Sequence, residues 1–468
     1  MKILVAIANY GTKNDHYLQR LLDEYASMPY DVHIVLLCNV PKSFGDQVEV
    51  IVQRAPGKPW SFPFPHKRIF ADRVNDYDLF IYSEDDTLVT QNNIEAFLRV
   101  TQTLPPNDIA GFLRYETAPD GSFHYSTVHG HFHWDPQCIT SVNGYTFAYF
   151  TNHHAACYLL TQAQLKKALA SRGFLVAPHE ERYDLLVTAA TDPYTQCGFR
   201  KVICISHLRD FVLRHLSNKN LGKLGLPETG VIEQVRALES IHKNQRPAAS
   251  LLNVETRLKE FKWSKSYYEF PSPEVMALIP KGAKKILSYG CGWGAMEAGM
   301  KKRGLRVTAI PLDAVIGASA ESKGIEVVYG DSRSALAKVA GERFDCVLFS
   351  NVLHLVPQPA QLLSDSAKVM APGASIIDTV PNLSQITVRW RRITHDSAFQ
   401  YERLGSFERT GVHVTSFRKI HGWFADADLV VRKVLPIIPK RGERLSQFLG
   451  RLGDAALAEE FIFVGGKA

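Results

Sequence analysis

The chain has 468 residues, room for two or three domains at the ~150 residues that serve as a soft guide for one. Apolar residues make up 46% and charged residues 22%, which excludes a mainly disordered, a collagen-like or a small disulfide-stapled chain. Net charge is +7, with 24 basic against 25 acidic residues over 1–250 and 30 against 22 over 251–468. That excess suits an anionic small molecule or a peripheral membrane contact; no aromatic-plus-basic motif for nucleic acid stands out.

Seven cysteines are scattered without a CxxC pair, which predicts a reduced, cytoplasmic protein without a structural zinc site. No apolar run approaches the ~18 residues that a membrane-spanning helix needs. The opening MKILVAIANYG reads as a buried first strand rather than a signal peptide.

From the N-terminus, KILVAIANYG (2–11) predicts a strand, followed by a helical pattern from His16 to Met28. HKRIFADR (66–73) places Lys67, Arg68 and Arg73 where they would meet phosphate charge or form a helix's solvated face. In NDYDLFIYSEDDTLVT (75–90) the apolar strand DLFIY runs into Glu84, Asp85 and Asp86. Carboxylates at the carboxyl end of a buried strand sit where α/β folds bind ligands, and hard oxygen donors suit Mg²⁺ or Mn²⁺. In HGHFHW (129–134), His129, His131 and His133 would share one face of a strand. They suit a transition metal, substrate hydroxyls or a structural role.

These N-terminal features, over roughly 1–225, resemble a GT-A-type glycosyltransferase, nearest to the exostosin-like branch. The resemblance implies a metal-assisted reaction of a nucleotide-sugar. Ala8, Asn9, Tyr10, Gly11 and Asp85 would line the nucleotide-sugar pocket. Glu84, Asp86 and His215 of HLSNK (215–219) would hold Mn²⁺ or Mg²⁺. HEERYDLLVTAATD (179–192) would supply an acceptor-side carboxylate, Asp184 first, with Glu180 or Glu181 behind it.

Residues 240–275 are polar, and VETRLKEFKWSKSYYEF (254–270) predicts an amphipathic helix. The expected division is a first domain over 1–245, a linker over 246–280 and a second domain over 281–468. In the last, KKILSYGCGWG (284–294) is a strand that stops at Gly290, Gly292 and Gly294, where backbone can approach a ligand closely. RVTAI (306–310), IEVVYGD (325–331), FDCVLFSNVLHLV (344–356) and MAPGASIIDTV (370–380) continue the strand–helix alternation.

Four motifs in this order, over about 280–385, resemble a class I S-adenosylmethionine-dependent methyltransferase. The resemblance places S-adenosyl-L-methionine at Ser288 and the three glycines, its ribose on Asp313 and its adenine by Asp331. Ser288 stands where that family carries an acid, and Pro311 stands where the ribose acid is expected. His354, just past the fourth strand, is the candidate base for a hydroxyl acceptor or a packing histidine; His395 and His413 are weaker candidates. RKVLPIIPKRGERLSQFLGRLG (432–453) would touch a membrane surface or form a last helix.

The expected fold is therefore α/β, with two Rossmann-like domains: a GT-A-like one and a class I methyltransferase. The expected function is glycosyl transfer plus O-methylation of a glycan hydroxyl in polysaccharide or glycoconjugate synthesis, with a nucleotide-sugar donor and a glycan or glycolipid acceptor. The alternative is a methyltransferase with a non-catalytic carbohydrate- or partner-binding N-terminal domain.

Overall fold

A computed structural model describes residues 1–126, 132–181, 183–222, 225–256, 263–388, 390, 407–439 and 453–468. Two compact units meet in sequence between Val235 and Arg236, with Phe132 grouped with the second. The division falls ahead of the expected linker. Residues Leu251, Val254, Trp263, Tyr267 and Tyr268 of that stretch are buried and belong to the second unit. No α-helix forms among the described residues of 254–270.

The N-terminal unit is organised by β1 (Lys2–Asn9), β2 (Asp31–Cys38), β3 (Val48–Val52), β4 (Leu79–Glu84) and β5 (Cys157–Thr161), in the order β5-β4-β1-β2-β3. The first four run parallel, and β5 is antiparallel to β4. Parallel strands covered on both faces read as continuous apolar runs, and Ile3 to Ile7 and Leu79 to Tyr82 are all buried. The β1–β4 register sets Ala8 opposite Glu84, so Asn9 and Asp85 leave the sheet together. Helix α1 (Asp15–Ala26) buries Leu18, Leu21, Leu22 and Tyr25, an apolar face at helical spacing. Among the described residues, two further sheets of four and five strands belong to this unit.

In the C-terminal unit the strands are β6 (Lys285–Cys291), β7 (Arg306–Pro311), β8 (Glu326–Val327), β9 (Phe344–Ser350), β10 (Met370–Pro381), β11 (Val430–Ile437) and β12 (Glu460–Gly466). They form one sheet in the order β8-β7-β6-β9-β10-β12-β11. The first five are parallel, and β12 pairs antiparallel with both β10 and β11. Strand order reverses beside β6, so the loops after β6 and β9 flank a topological switch point, where open α/β sheets bind ligands. Among the described residues no helix is long and apolar enough to cross a membrane. All seven cysteines are free.

Candidate functional site

At the carboxyl edge of the N-terminal sheet, Asn9 donates from Nδ2 to Asp85 at 2.7 Å, and Asn14 does the same at 2.7 Å. Lys42 draws the turn after β1 inward, donating to Asn9 Oδ1 at 2.5 Å, to the Gly11 carbonyl at 2.6 Å and also to Asp15. Gly11 has φ +72°, a left-handed conformation that costs glycine least. Tyr10 is 58% exposed, its ring edge-on to Phe62. The structure thus brings Ala8, Asn9, Tyr10, Gly11 and Asp85 to one sheet edge.

Glu84, Asp85 and Asp86 have different environments. Burial, reinforced by Asp86, pushes Glu84 up to about 7. Burial also raises Asp85, to about 6. Burial works the same way on Asp86, but the hydrogen bond and charge of His215 outweigh it and hold that carboxyl at about 2. His215, on the strand Val212–His215, lies 3.1 Å from Asp86 through Nε2 and 2.5 Å from Glu116 through Nδ1. Those two carboxylates outweigh the burial of the ring and raise its pKa.

This arrangement corrects the expected metal set. Glu84 Oε1 and Asp86 Oδ1 are buried oxygens without a hydrogen-bond partner, which a cation would satisfy. Both ring nitrogens of His215, however, are taken by carboxylates, so the imidazolium has no lone pair to offer. Among the described residues no group of three His, Cys, Asp or Glu side chains is arranged to hold a metal ion. As they stand, these side chains do not fit a Mn²⁺ or Mg²⁺ centre.

The expected acceptor carboxylates are also used differently. Asp184 is exposed and caps α2 (Leu185–Thr195), accepting from the Leu186 and Val187 amides at 3.1 and 3.0 Å. Glu180 lies 3.4 Å from Lys58 at the surface, and Glu181 accepts from Gln196 at 3.2 Å. Lys67 is buried against Asp192, while Arg73 makes a two-pronged pair with Glu49 and Arg68 pairs with Asp72. Lys67 and Arg73 are spent within the fold, while Arg68 lies on the exposed face of its helix. His129 and His131 lie outside the described residues.

In the C-terminal unit the glycine turn joins β6 to α3 (Ala295–Lys302). Gly294 has φ +81° and sits so close to Ala320 that a Cβ would fall 2.8 Å from its Cα. At Gly292 a Cβ would fall 2.3 Å from the Tyr267 carbonyl oxygen, and Gly290 lies against Val352. Ser288, where an acid is usual in the resembled family, donates to Glu297 at 2.6 Å, and both residues are buried. A carboxylate thus reaches this point from α3 instead of β6.

One irregular strap, Trp263 to Phe270, reaches the glycine turn, Ser350 and His354. The Tyr267 carbonyl accepts from the Trp293 amide at 2.9 Å, and the Glu269 carbonyl accepts from Trp293 Nε1 at 2.6 Å. Burial and the neighbouring Asp313 raise the Tyr267 phenol well above its ordinary pKa. The Glu269 carboxylate accepts from Ser350 at 3.0 Å and pairs with Lys265. The Trp263 carbonyl accepts from His354 Nε2 at 2.9 Å.

Asp313 and Asp331 both cap helices. Asp313 accepts from the Val315 and Ile316 amides at 2.8 Å each and is 3% exposed. Asp331 is exposed and accepts from the Arg333 and Ser334 amides at 2.9 Å each, which lowers its pKa.

His354 is a poor proton acceptor here. Burial depresses its pKa to about 3, and the Trp263 carbonyl fixes the proton on Nε2, which leaves Nδ1 as a hydrogen-bond acceptor. His413 is structural, with its amide on the His354 carbonyl at 2.8 Å and Nε2 3.0 Å from the Val356 carbonyl. His395 lies outside the described residues, as do 440–452 of the basic C-terminal stretch.

Beside His354 opens a cavity of about 290 Å³ at the carboxyl ends of β9 and β10, lined by Trp263, Glu269, Asn351, Asn382 and Glu460 among others. Sequence reasoning missed Glu269 and Glu460. Neither stands in a motif, and the pairing of β12 with β10 is what brings Glu460 opposite Pro381.

Residues 263–434 match the family model described as a methyltransferase domain. The C-terminal unit holds a class I, S-adenosylmethionine-dependent methyltransferase domain. Relatives of this methyltransferase domain include the ubiquinone biosynthesis O-methyltransferase of Stutzerimonas stutzeri (strain A1501), 26% identical over 162 residues, which are 34% of this chain and 69% of that protein. The protein of the same name from Azotobacter vinelandii is 35% identical over 104 residues, 21% of this chain and 45% of its own length. The chain thus spans about two thirds of the first relative and less than half of the second. A methyltransferase structure from Archaeoglobus fulgidus, at 14% identity and a TM-score of 0.32, covers 42% of this chain and 90% of that one. The family match lies wholly within the C-terminal unit.

Proposed function

We propose that the chain joins two transferases of polysaccharide or glycoconjugate synthesis. The C-terminal unit would methylate a hydroxyl, and the N-terminal unit would move a sugar from a nucleotide donor to a glycan or glycolipid acceptor. The observation that carries the N-terminal half is the acid triplet after β4, with Asp85 held by Asn9 and Asn14 at the edge where the β1 turn exposes Tyr10. A flat exposed ring suits a nucleobase, and fixed carboxylates suit ribose or sugar hydroxyls. For the C-terminal half, the hydroxyl acceptor is inferred from the relatives' names as O-methyltransferases.

When bound, S-adenosylmethionine supplies a methyl group activated on sulfur. The chain's own residues shape the turn at Gly292 and Gly294, hold the strap over it through Tyr267 and Glu269, and present a polar cavity to the acceptor. Two sites on one chain raise the effective concentration of the second around the product of the first.

A second reading, with the N-terminal unit as a carbohydrate- or partner-binding module, is favoured by one observation: Asp184 is spent on a helix cap and Glu180 faces solvent. Calorimetric titration separates the two. S-adenosylmethionine is titrated first, then UDP and GDP with and without Mn²⁺ or Mg²⁺. Binding of both ligand types at independent sites supports two transferases. Cofactor binding alone leaves the recognition module.

A further inference from the structure

We propose that Glu460, rather than His354, takes the proton from the hydroxyl that is methylated in the cavity at the ends of β9 and β10. This rests on the reading of the C-terminal unit as a hydroxyl methyltransferase. Glu460 opens β12 and lines the same cavity as His354, Asn351 and Glu269. Strand pairing sets it opposite Pro381, at the carboxyl end of β10. That end of the sheet also carries Ser350 and Asn351, beside the glycine turn across the β6–β9 pair.

The neighbours of Glu460 are specific. Asn351, which shares the cavity lining, and Thr379 of β10 favour its ionised form, as does Lys265, while Glu269 opposes its charge. Asp378, buried on β10, adds a further repulsion in its ionised form. Glu459, exposed, lines the rim. Burial first, then Glu269, pushes the Glu460 carboxyl up to about 7. A group titrating there is near-optimal as a base at neutral pH. His354, down at about 3, is not.

The step balances. The acceptor oxygen attacks the methyl carbon, the carbon–sulfur bond breaks with its electron pair passing to sulfur, and the O–H proton moves to the Glu460 carboxylate. The products are a methyl ether, the neutral thioether S-adenosylhomocysteine and a protonated Glu460, which returns its proton to solvent.

A carboxylate placed to take that proton would also face the sulfonium charge, so its ionisation should be felt before any chemistry. The test is calorimetry on the full chain with S-adenosylmethionine and with S-adenosylhomocysteine, from about pH 5.5 to about pH 8.5. In the unaltered protein the preference for the sulfonium over the thioether should grow severalfold as pH rises through about 7. Glu460→Gln should flatten that growth, and Glu460→Asp should keep part of it. Methyl transfer to catechol as a probe should fall roughly 100-fold or more in Glu460→Gln and lose its rise with pH. A preference indifferent to pH in the unaltered protein, or one that still rises in Glu460→Gln, overturns the assignment. A protein that binds neither compound overturns the methyltransferase reading itself, which is a different result.

Discussion

Asn9 and Asp85 hold each other at 2.7 Å across the carboxyl ends of two paired strands. That single bond couples the turn after β1 to the acid triplet after β4, so damage to one end should be felt at the other. Asn9→Leu removes the donor, leaves Asp85 with Asn14 alone, and should lower affinity for UDP by about 10-fold or more, since a charged hydrogen bond is worth about 1.5–3 kcal/mol. Calorimetric titration of the variant checks this.

His215 neutralises two buried carboxylates at once. His215→Ala strands Asp86 and Glu116, and breaking a buried pair from one side costs about 3–5 kcal/mol. The urea midpoint should fall accordingly. His215→Gln keeps hydrogen bonds but no charge and should recover only part of the loss.

Asp184 supports a helix, so Asp184→Ala should cost about 1 kcal/mol and leave nucleotide affinity unchanged. Asp184→Asn should restore most of the stability. A variant that is fully stable yet loses transfer activity would return Asp184 to the catalytic role expected from sequence.

Acidity should weaken the C-terminal unit through His354. Its folded pKa, about 3, lies below the ordinary value of 6.5. Between those values the unfolded chain binds more protons, so stability rises with pH and is lost as pH falls from about 6.5 toward 3. Glu460 has the opposite sign: its pKa is raised to about 7, so its neutral form favours folding at low pH and the stabilisation fades as pH climbs from about 4.5 through 7. Urea midpoints at about pH 5 and about pH 8 should therefore shift in opposite directions in His354→Gln and Glu460→Gln.

Gly292→Ala should disturb the strap first, because its Cβ would fall 2.3 Å from the Tyr267 carbonyl. The expected result is a lower Tm and weaker S-adenosylmethionine binding, with UDP binding unchanged.

Much of the fold was legible because parallel strands announce themselves. KILVAIAN, LFIY and FDCVLF are apolar without alternation, and each ends where a polar or glycine-rich turn begins. Less of the site was legible. Asp313 and Asp331 could be found as acids after strands, but one dimension does not tell a ligand-facing carboxylate from one that caps the next helix. His215 was expected beside the acids as a metal ligand, not as their direct ion-pair partner, and Glu116, which takes its other nitrogen, lies ninety-nine residues away without a motif. Glu269 and Glu460 owe their positions to a strap and an antiparallel strand, whose pairing carries no local signature.

The strap also moves the seam of the chain. Residues 263–270 look like a connector in the sequence, but they bond to the glycine turn, to Ser350 and to His354. A gene fragment begun at residue 281, the boundary suggested by sequence, would discard the cover of its own cofactor edge. One begun at Arg236 would carry it along, and is the piece to express.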